Sequence, residues 1–153
     1  MKLVKMAGGF AVLALAAVAA QTDPWSAKDL IQPEALAARL NGDAKTKPTV
    51  LFIGFPVLYR AAHIPGAVMV GPAAKPEGIE AMKEAVAKMP RNSDIVIYCG
   101  CCPFDHCPNV RPAFAELRKM GFTHVQVLSV PTNMAKDWIE KGLPVEKGAY
   151  GGK

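Results

Sequence analysis

The sequence lacks runs of basic residues and has few aromatic side chains, which make up 7% of its 153 residues. It therefore lacks the interleaved basic and aromatic patches that bind nucleic acid, and no nucleic acid is expected as a partner. We find no internal repeat, which gives no reason to expect a repeat protein, and no low-complexity segment beyond the N-terminus. The formal net charge of +5 is mild and helps at most to attract small anions.

The N-terminal segment lacks the length of a membrane-spanning helix, because its apolar run at 6–20 is short of the roughly 20 residues needed. Basic residues precede this run and polar residues follow it, an order typical of a secretory signal peptide. Residues 1–20 are therefore predicted to be cleaved, which lowers the charge from +5 to +3 through the loss of Lys2 and Lys5. The alternative is an uncleaved membrane anchor. No cysteine near the cleavage point could carry a lipid, so a soluble periplasmic or secreted protein without stable membrane insertion is expected.

Residues 21–153 have the length of one domain, with a core expected at about 26–147. Helical spacing of apolar residues predicts helices at 31–40, 77–89, 111–120 and 133–141, and apolar runs predict strands at 48–53, 67–70, 94–98 and 124–128. Strands that alternate with helices indicate an α/β fold with a largely parallel sheet covered on both faces. Sites in such sheets lie at the carboxyl ends of the strands.

All four cysteines lie within nine positions directly after the strand predicted at 94–98, at Cys99, Cys101, Cys102 and Cys107. Thiolates are strong nucleophiles and good ligands for soft metals, so this cluster is predicted to be a chemical site. Export to an oxidising compartment would permit disulfides. The four residues are nevertheless too close in sequence to join distant parts of the fold.

Four segments occur along the chain in a recognisable order. They are the helix predicted at 31–40, the motif His63-Ile64-Pro65-Gly66-Ala67, the strand end Tyr98-Cys99, and a closing pattern of Gly121-Phe122, Trp138, Gly142, Leu143, Pro144 and Val145. Together they resemble the rhodanese-like domain family over residues 31–145. The resemblance implies a three-layer fold with a central, mainly parallel five-stranded sheet flanked by helices. Active members of the family are sulfurtransferases, in which a cysteine at the end of the central strand carries sulfane sulfur as a persulfide.

The resemblance assigns the role of nucleophile to Cys99. A loop that curls around this sulfur, followed by a helix, would point backbone N–H groups and the positive end of the helix dipole at it, and would lower its pKa. The stretch from Cys99 to Gly121 is longer than is usual in the family, and Asn109-Val110 stand where the family has an Arg-Ser pair. Gly54-Phe55-Pro56 replace the acidic-x-Arg signature.

The longer loop allows three interpretations. In the first, Cys99 carries sulfur without a cofactor, and Cys101, Cys102 or Cys107 resolves the persulfide as a disulfide, so that the loop works as a sulfurtransferase or a thiol relay. In the second, the loop is a metal site in which Cys99, Cys101, Cys102, Cys107 and His106 offer ligands to Cu(I) or zinc. In the third, Cys102 and Cys107 form a structural disulfide. The second and third interpretations describe a non-catalytic module.

Further candidates surround the loop. His106 could act as a base or a metal ligand, or it is simply exposed. Arg111 and Arg60 are predicted to bind an anionic sulfur donor, because guanidinium groups pair with oxyanions in a fork geometry. Gly100 and Asn109 complete the predicted substrate-binding set. The expected partners are a small-molecule sulfur donor or thiol acceptor, with a periplasmic redox protein as a further candidate.

Overall fold

The computed structural model of the chain describes residues 23–148, so the predicted signal peptide lies outside the described residues. The strands are β1 (Leu30–Ile31), β2 (Thr49–Phe52), β3 (Val68–Met69), β4 (Asp94–Tyr98) and β5 (His124–Leu128). The α-helices are α1 (Pro33–Asn41), α2 (Pro56–Ala61), α3 (Pro76–Val86) and α4 (Val110–Lys119). A 3-10 turn at Ala27–Asp29 and a π-helix at Ala135–Ile139 complete the helical elements. Within residues 23–148, every helix is too short or too polar to cross a membrane.

The five strands form one sheet in the order β1-β5-β4-β2-β3, and every neighbouring pair is parallel. The predicted α/β fold with a five-stranded, parallel central sheet is confirmed. Strand β4 occupies the middle position, paired with β2 on one side and β5 on the other. Its carboxyl end therefore opens at the centre of the sheet edge, which is where ligands bind in folds of this class.

Alternation along each strand divides the core into two clusters, one on each face of the sheet. Ile95 and Ile97 pack with α3 and α4 on one face, while Val96 and Tyr98 pack with α1, α2 and the π-helix on the other. The strands are apolar on both faces because helices cover both faces. Trp138 is fully buried in the second cluster, and its indole N–H donates to the carbonyl of Pro144 at 2.8 Å.

The structure differs from the predicted elements at β1, α2 and the π-helix. Helix α1 begins at Pro33, the residue expected at its first helical position, and Leu30–Ile31 before it form strand β1, which pairs with Val127 and Leu128 of β5. Two residues are too few to show the alternation that identifies a strand in sequence. Helix α2 was not predicted, and the segment expected to be helical at 133–141 is a π-helix at Ala135–Ile139.

Tyr98, the last residue of β4, ties the central strand to the His-Ile-Pro-Gly-Ala motif. Its hydroxyl accepts a hydrogen bond from the backbone N–H of Ile64 at 3.0 Å, and both residues are buried. His63, the first residue of the motif, is held by Tyr59 of α2. Its Nδ1–H donates to the carbonyl of Tyr59 at 2.8 Å, and its ring stacks on that tyrosine. The motif therefore acts as a structural support for the end of β4.

Replacing Tyr98 with Phe is expected to lower the free energy of unfolding by about 1–3 kcal/mol, because the buried N–H of Ile64 loses its acceptor. Urea denaturation followed by circular dichroism measures the change. The control is Thr46→Val, which removes an exposed hydroxyl and is expected to change stability by less than about 0.5 kcal/mol. Equal effects of the two substitutions would contradict the role given to the Tyr98 hydroxyl.

Candidate functional site

Cys99 is the first residue after β4, and the alternation of the strand decides which way it faces. Ile95 and Ile97 point toward α3 and α4, and Cys99 continues that set into the same cluster. It is only 2% exposed. The strand end is fixed on its other side by the N–H of Ile53, which donates to the carbonyl of Tyr98 at 2.9 Å. Cys99 therefore lies at the carboxyl end of the central strand, against the start of α4.

The loop is anchored at its middle, and the remaining cysteines therefore lie close to Cys99 at the carboxyl end of β4. The N–H of Phe104 donates to the carbonyl of Val130 at 3.1 Å, and the ring of Phe104 packs against Trp25. The Sγ atoms of Cys99 and Cys101 are 3.4 Å apart, and those of Cys101 and Cys102 are 3.2 Å apart. All four cysteines are free thiols, and the predicted disulfide between Cys102 and Cys107 stays a prediction.

Asn109 connects two of the sulfurs to the protein framework. Its Nδ2 donates to the Sγ of Cys99 at 3.3 Å and lies 3.9 Å from the Sγ of Cys107, while its Oδ1 accepts the backbone N–H of Ala74 at 2.9 Å. The side chain is 1% exposed. Its hydrogen bonds give it a role in positioning the thiols, and substrate binding by Asn109 stays a prediction.

Cys107 is the cysteine that the start of α4 stabilises as a thiolate. Its pKa falls to about 5, first because the thiol of Cys99 donates a hydrogen bond to it, and also because the backbone N–H groups of Asn109 and Val110 point at it. Burial of the sulfur opposes this shift. The positive end of the α4 dipole acts in the same direction as the N–H groups.

The pKa of Cys99 is raised, in contrast to the predicted lowering. The largest cause is its hydrogen bond with Cys107, followed by burial and by the nearby sulfur charges. The two thiols share one negative charge, and the backbone donors place that charge on Cys107. Burial and a hydrogen bond with Cys101 raise the pKa of Cys102 to about 12. The prediction of a lowered pKa for Cys99 was wrong because the longer loop adds a second thiol, Cys107, which receives the backbone N–H groups at the start of α4.

Two glycines give the site its room. A Cβ on Gly54, the second residue after β2, would lie 2.9 Å from the Sγ of Cys99, so this position must be small for the sulfur to fit. In the sequence, Gly54 ends an apolar run and departs from the family pattern, and its position at the end of a predicted strand was the available signal. Gly100 has a φ of +80°, and its carbonyl accepts the N–H of Met134 at 2.9 Å.

Several predicted site residues lie away from the sulfurs. His106 is exposed and hydrogen-bonds to the carboxylate of Asp105. Arg111 pairs with Asp23, and its guanidinium lies over the ring of Trp25 at 5.5 Å, on the α4 side of the sheet. Arg60 is exposed on α2. Arg111 thus has an acidic partner and Arg60 faces solvent, and the binding of an anionic donor by these two arginines stays a prediction.

A cavity of about 350 Å³ opens in front of two of the thiols. Its lining comes from the end of β2, α2, the cysteine loop and the π-helix: Phe52, Leu58, Ala61, Ala62, Cys99, Gly100, Cys101, Asn133, Met134, Ala135 and Ile139. Its volume is within the range of small-molecule sites. Cys107 is not among the lining residues, so Cys99 and Cys101 are the sulfurs that a ligand in this cavity would meet.

The thiols of Cys99, Cys101 and Cys107 form a possible ligand set for a metal. Their Sγ atoms all lie within 4.8 Å of one another, two buried and one exposed. Thiolates in this number suit Cu(I), a soft ion. Of the five ligands predicted from the sequence, the structure brings these three together, whereas His106 and Cys102 lie outside the group.

Replacing Asn109 with Ala is expected to lower the free energy of unfolding by about 1–3 kcal/mol, because the N–H of Ala74 loses its buried acceptor. Urea denaturation of the fully reduced protein measures the effect. The matched control, Asn92→Ala, removes an exposed asparagine and is expected to change stability by less than about 0.5 kcal/mol. An unchanged midpoint for Asn109→Ala would show that its hydrogen bonds do not hold the loop.

Solved structures with this fold include three bacterial proteins. The Alr3790 protein from Anabaena sp. is 25% identical with a TM-score of 0.58, over 77% of this chain and 92% of that chain. Thiosulfate sulfurtransferase from Pseudomonas aeruginosa is 27% identical with a TM-score of 0.57, over 78% of this chain and 19% of that one. The BH2092 protein from Bacillus halodurans shares the fold at 23% identity with a TM-score of 0.52, over 72% of this chain and 74% of that one.

The sequence itself provides the family assignment. No curated protein matches the chain. Residues 32–130 match the family described as the rhodanese-like domain, and this region contains β2, β3, β4, β5 and the whole cysteine loop. Because the match covers more than half of the 153 residues, the chain belongs to the rhodanese-like domain family.

Proposed function

We propose that this protein moves sulfane sulfur through a persulfide on Cys99, as a sulfurtransferase or thiol-relay protein of the cell envelope. One observation carries the proposal. Cys99 directly follows the central strand, accepts a hydrogen bond from Asn109, and lines a cavity together with Cys101, whose exposed thiol lies 3.4 Å from the Cys99 sulfur. A nucleophile at a strand end, next to a second thiol that solvent reaches, suits the receipt and release of sulfur.

In the first step, the Cys99 thiol passes its proton to the Cys107 thiolate, and the resulting Cys99 thiolate attacks the sulfane sulfur of a donor R–S–SH. A new S–S bond forms on Cys99, the S–S bond of the donor breaks, and R–S⁻ leaves and takes up a proton. Asn109 donates its amide N–H to the Cys99 sulfur and so stabilises negative charge there. Transfer to an external thiolate reverses these bonds, restores the Cys99 thiolate and leaves a persulfide on the acceptor.

Cys101 offers a second route out of the persulfide. Its thiolate can attack the inner sulfur of the Cys99 persulfide, which forms a Cys99–Cys101 disulfide and releases HS⁻. The two Sγ atoms must approach from 3.4 Å to the roughly 2.05 Å of a disulfide. Two equivalents of an external thiol then reduce the bridge and become a disulfide themselves. A small-molecule thiol or a periplasmic redox protein would supply them.

Location in the periplasm or outside the cell forms part of the proposal. It is supported by the order of basic, apolar and polar residues at 1–20, which is typical of a cleaved export signal. The proposed partners are a small-molecule sulfur donor, a thiol acceptor and a redox protein that reduces the loop.

Incubation of the reduced protein, residues 21–153, with a sulfane-sulfur donor is expected to add the mass of one sulfur atom to Cys99. Mass spectrometry of the intact protein and of its peptides measures the addition. Cys99→Ser is expected to abolish it, whereas Cys102→Ser is expected to retain it, because Cys102 does not line the cavity. Retention of the added sulfur in Cys99→Ser would show that Cys99 is not the carrier.

A second candidate function is Cu(I) binding by a non-catalytic module, which the 4.8 Å grouping of three sulfurs favours. Wild-type protein is then expected to retain one Cu(I) per chain in native mass spectrometry under reducing conditions. Cys101→Ser and Cys107→Ser are expected to lose the ion, whereas Cys102→Ser and His106→Ala are expected to keep it, because these side chains lie outside the group. Loss of the ion from His106→Ala would contradict the three-sulfur site.

A further inference from the structure

The cavity in front of Cys99 and Cys101 has no charged side chain in its lining. Its large apolar lining residues are Phe52, Leu58, Met134 and Ile139, and three alanines also line it. Asn133 is the one lining residue with a polar amide, and its Oδ1 already accepts the backbone N–H of Lys136 at 3.0 Å. An inorganic dianion placed here would lose the hydration of two charges without gaining a cation, whereas an organic monoanion loses less hydration and gains apolar contact.

The cations closest in sequence to these elements are engaged elsewhere or do not line the cavity. Lys136, on the π-helix, pairs with Glu140 at 2.9 Å. Arg111 pairs with Asp23 beside Trp25. Arg60 belongs to α2, but its side chain is absent from the lining. The described structure therefore gives an inorganic dianion no counter-charge at Cys99.

The cavity does expose apolar surface that a ligand could cover. Leu58 and Ile139 both line it, yet they remain 37% and 40% exposed. Large apolar side chains left open at a cavity mouth gain stability when an apolar group removes them from water. An alkyl or aryl group attached to the sulfane sulfur would fit between these two side chains and leave the sulfur facing the thiols.

We infer that the donor for this site is an organic sulfane-sulfur compound whose alkyl or aryl group fills the cavity, and that the inorganic thiosulfate dianion is a poor donor. The inference rests on the proposed function. With a thiosulfonate R–SO₂–S⁻ as donor, the Cys99 thiolate attacks the terminal sulfur, and an S–S bond forms on Cys99. The S–S bond of the donor breaks, and the electron pair leaves with the sulfinate R–SO₂⁻. No oxidant or reductant is consumed.

The test compares three donors with the reduced protein: benzenethiosulfonate, methanethiosulfonate and thiosulfate. The rate of persulfide formation is measured by mass spectrometry and divided by the rate of each donor with free glutathione, which removes differences in intrinsic reactivity. After this correction, benzenethiosulfonate is expected to exceed thiosulfate by at least about tenfold, equivalent to roughly 1.4 kcal/mol, with methanethiosulfonate between them. Equal corrected rates, or a preference for thiosulfate, would overturn the inference and leave the proposed function intact.

A matched pair of variants locates the preference in the cavity. Leu58→Arg removes apolar lining and adds a cation, and it is expected to raise the thiosulfate rate relative to the benzenethiosulfonate rate. Val57→Arg adds the same charge one residue away, at a position that is 62% exposed and does not line the cavity, and is expected to keep the wild-type order. Circular dichroism checks that both variants fold. The same change of preference in both variants would overturn the inference.

A binding measurement separates failure of transfer from failure of recognition. Benzenesulfinate, the unreactive leaving group, is titrated into wild-type protein and followed by NMR at the methyl groups of Leu58 and Ile139, with sulfite as the comparison. Shifts with benzenesulfinate alone support the inference, even if no donor forms a persulfide and the proposed function fails. Absence of shifts overturns it. The alternative occupant of this face is a second copy of the chain. If the wild-type protein is a dimer, and Leu58→Arg dissociates it without altering donor preference, a second copy covers this face and the inference is overturned.

Discussion

The contact between the end of β4 and the first turn of α4 holds the cysteine loop in place. Asn109 makes this contact with one buried amide, which binds the N–H of Ala74 through its oxygen and the sulfurs of Cys99 and Cys107 through its nitrogen. Because Cys99 follows the inward-facing Ile95 and Ile97, it can point nowhere else without breaking the alternation of the strand. The sheet thus fixes the position of Cys99, the candidate nucleophile, and the start of α4 stabilises the thiolate of Cys107.

The extra length of the loop changes which sulfur receives the N–H groups at the start of α4. A single strand-end sulfur would receive the N–H groups of the helix start directly. Here Cys107 takes that place, and Cys99 is its hydrogen-bond donor. The site consequently holds a pair of sulfurs with one shared charge, beside an exposed third thiol at Cys101. All the thiols that the proposed sulfur transfer uses therefore come from one loop.

The charged side chains near the loop and the cavity proposed for the substrate lie in different places. Positive charge at Arg111 is neutralised by Asp23 on the α4 side of the sheet, while the cavity at Cys99 is lined by apolar side chains from α2 and the π-helix. Loss of the acidic-x-Arg signature after β2 has a direct structural consequence. Gly54 stands there and gives the Cys99 sulfur the space that a Cβ would occupy.

The sequence by itself determined the α/β class, the bounds of β4 and β5, the family, and the placement of four cysteines after the central strand. These features depend on local periodicity and on short motifs, which neighbouring residues specify. It missed β1 and α2, which are too short to show a period. Only the tertiary structure decided which three sulfurs meet, that the backbone N–H groups at the start of α4 lower the pKa of Cys107, and that Arg111 pairs with Asp23. The path of an aperiodic loop is set by contacts with distant residues, such as those of Phe104 with Val130 and Trp25, and a local pattern in the sequence does not show these partners.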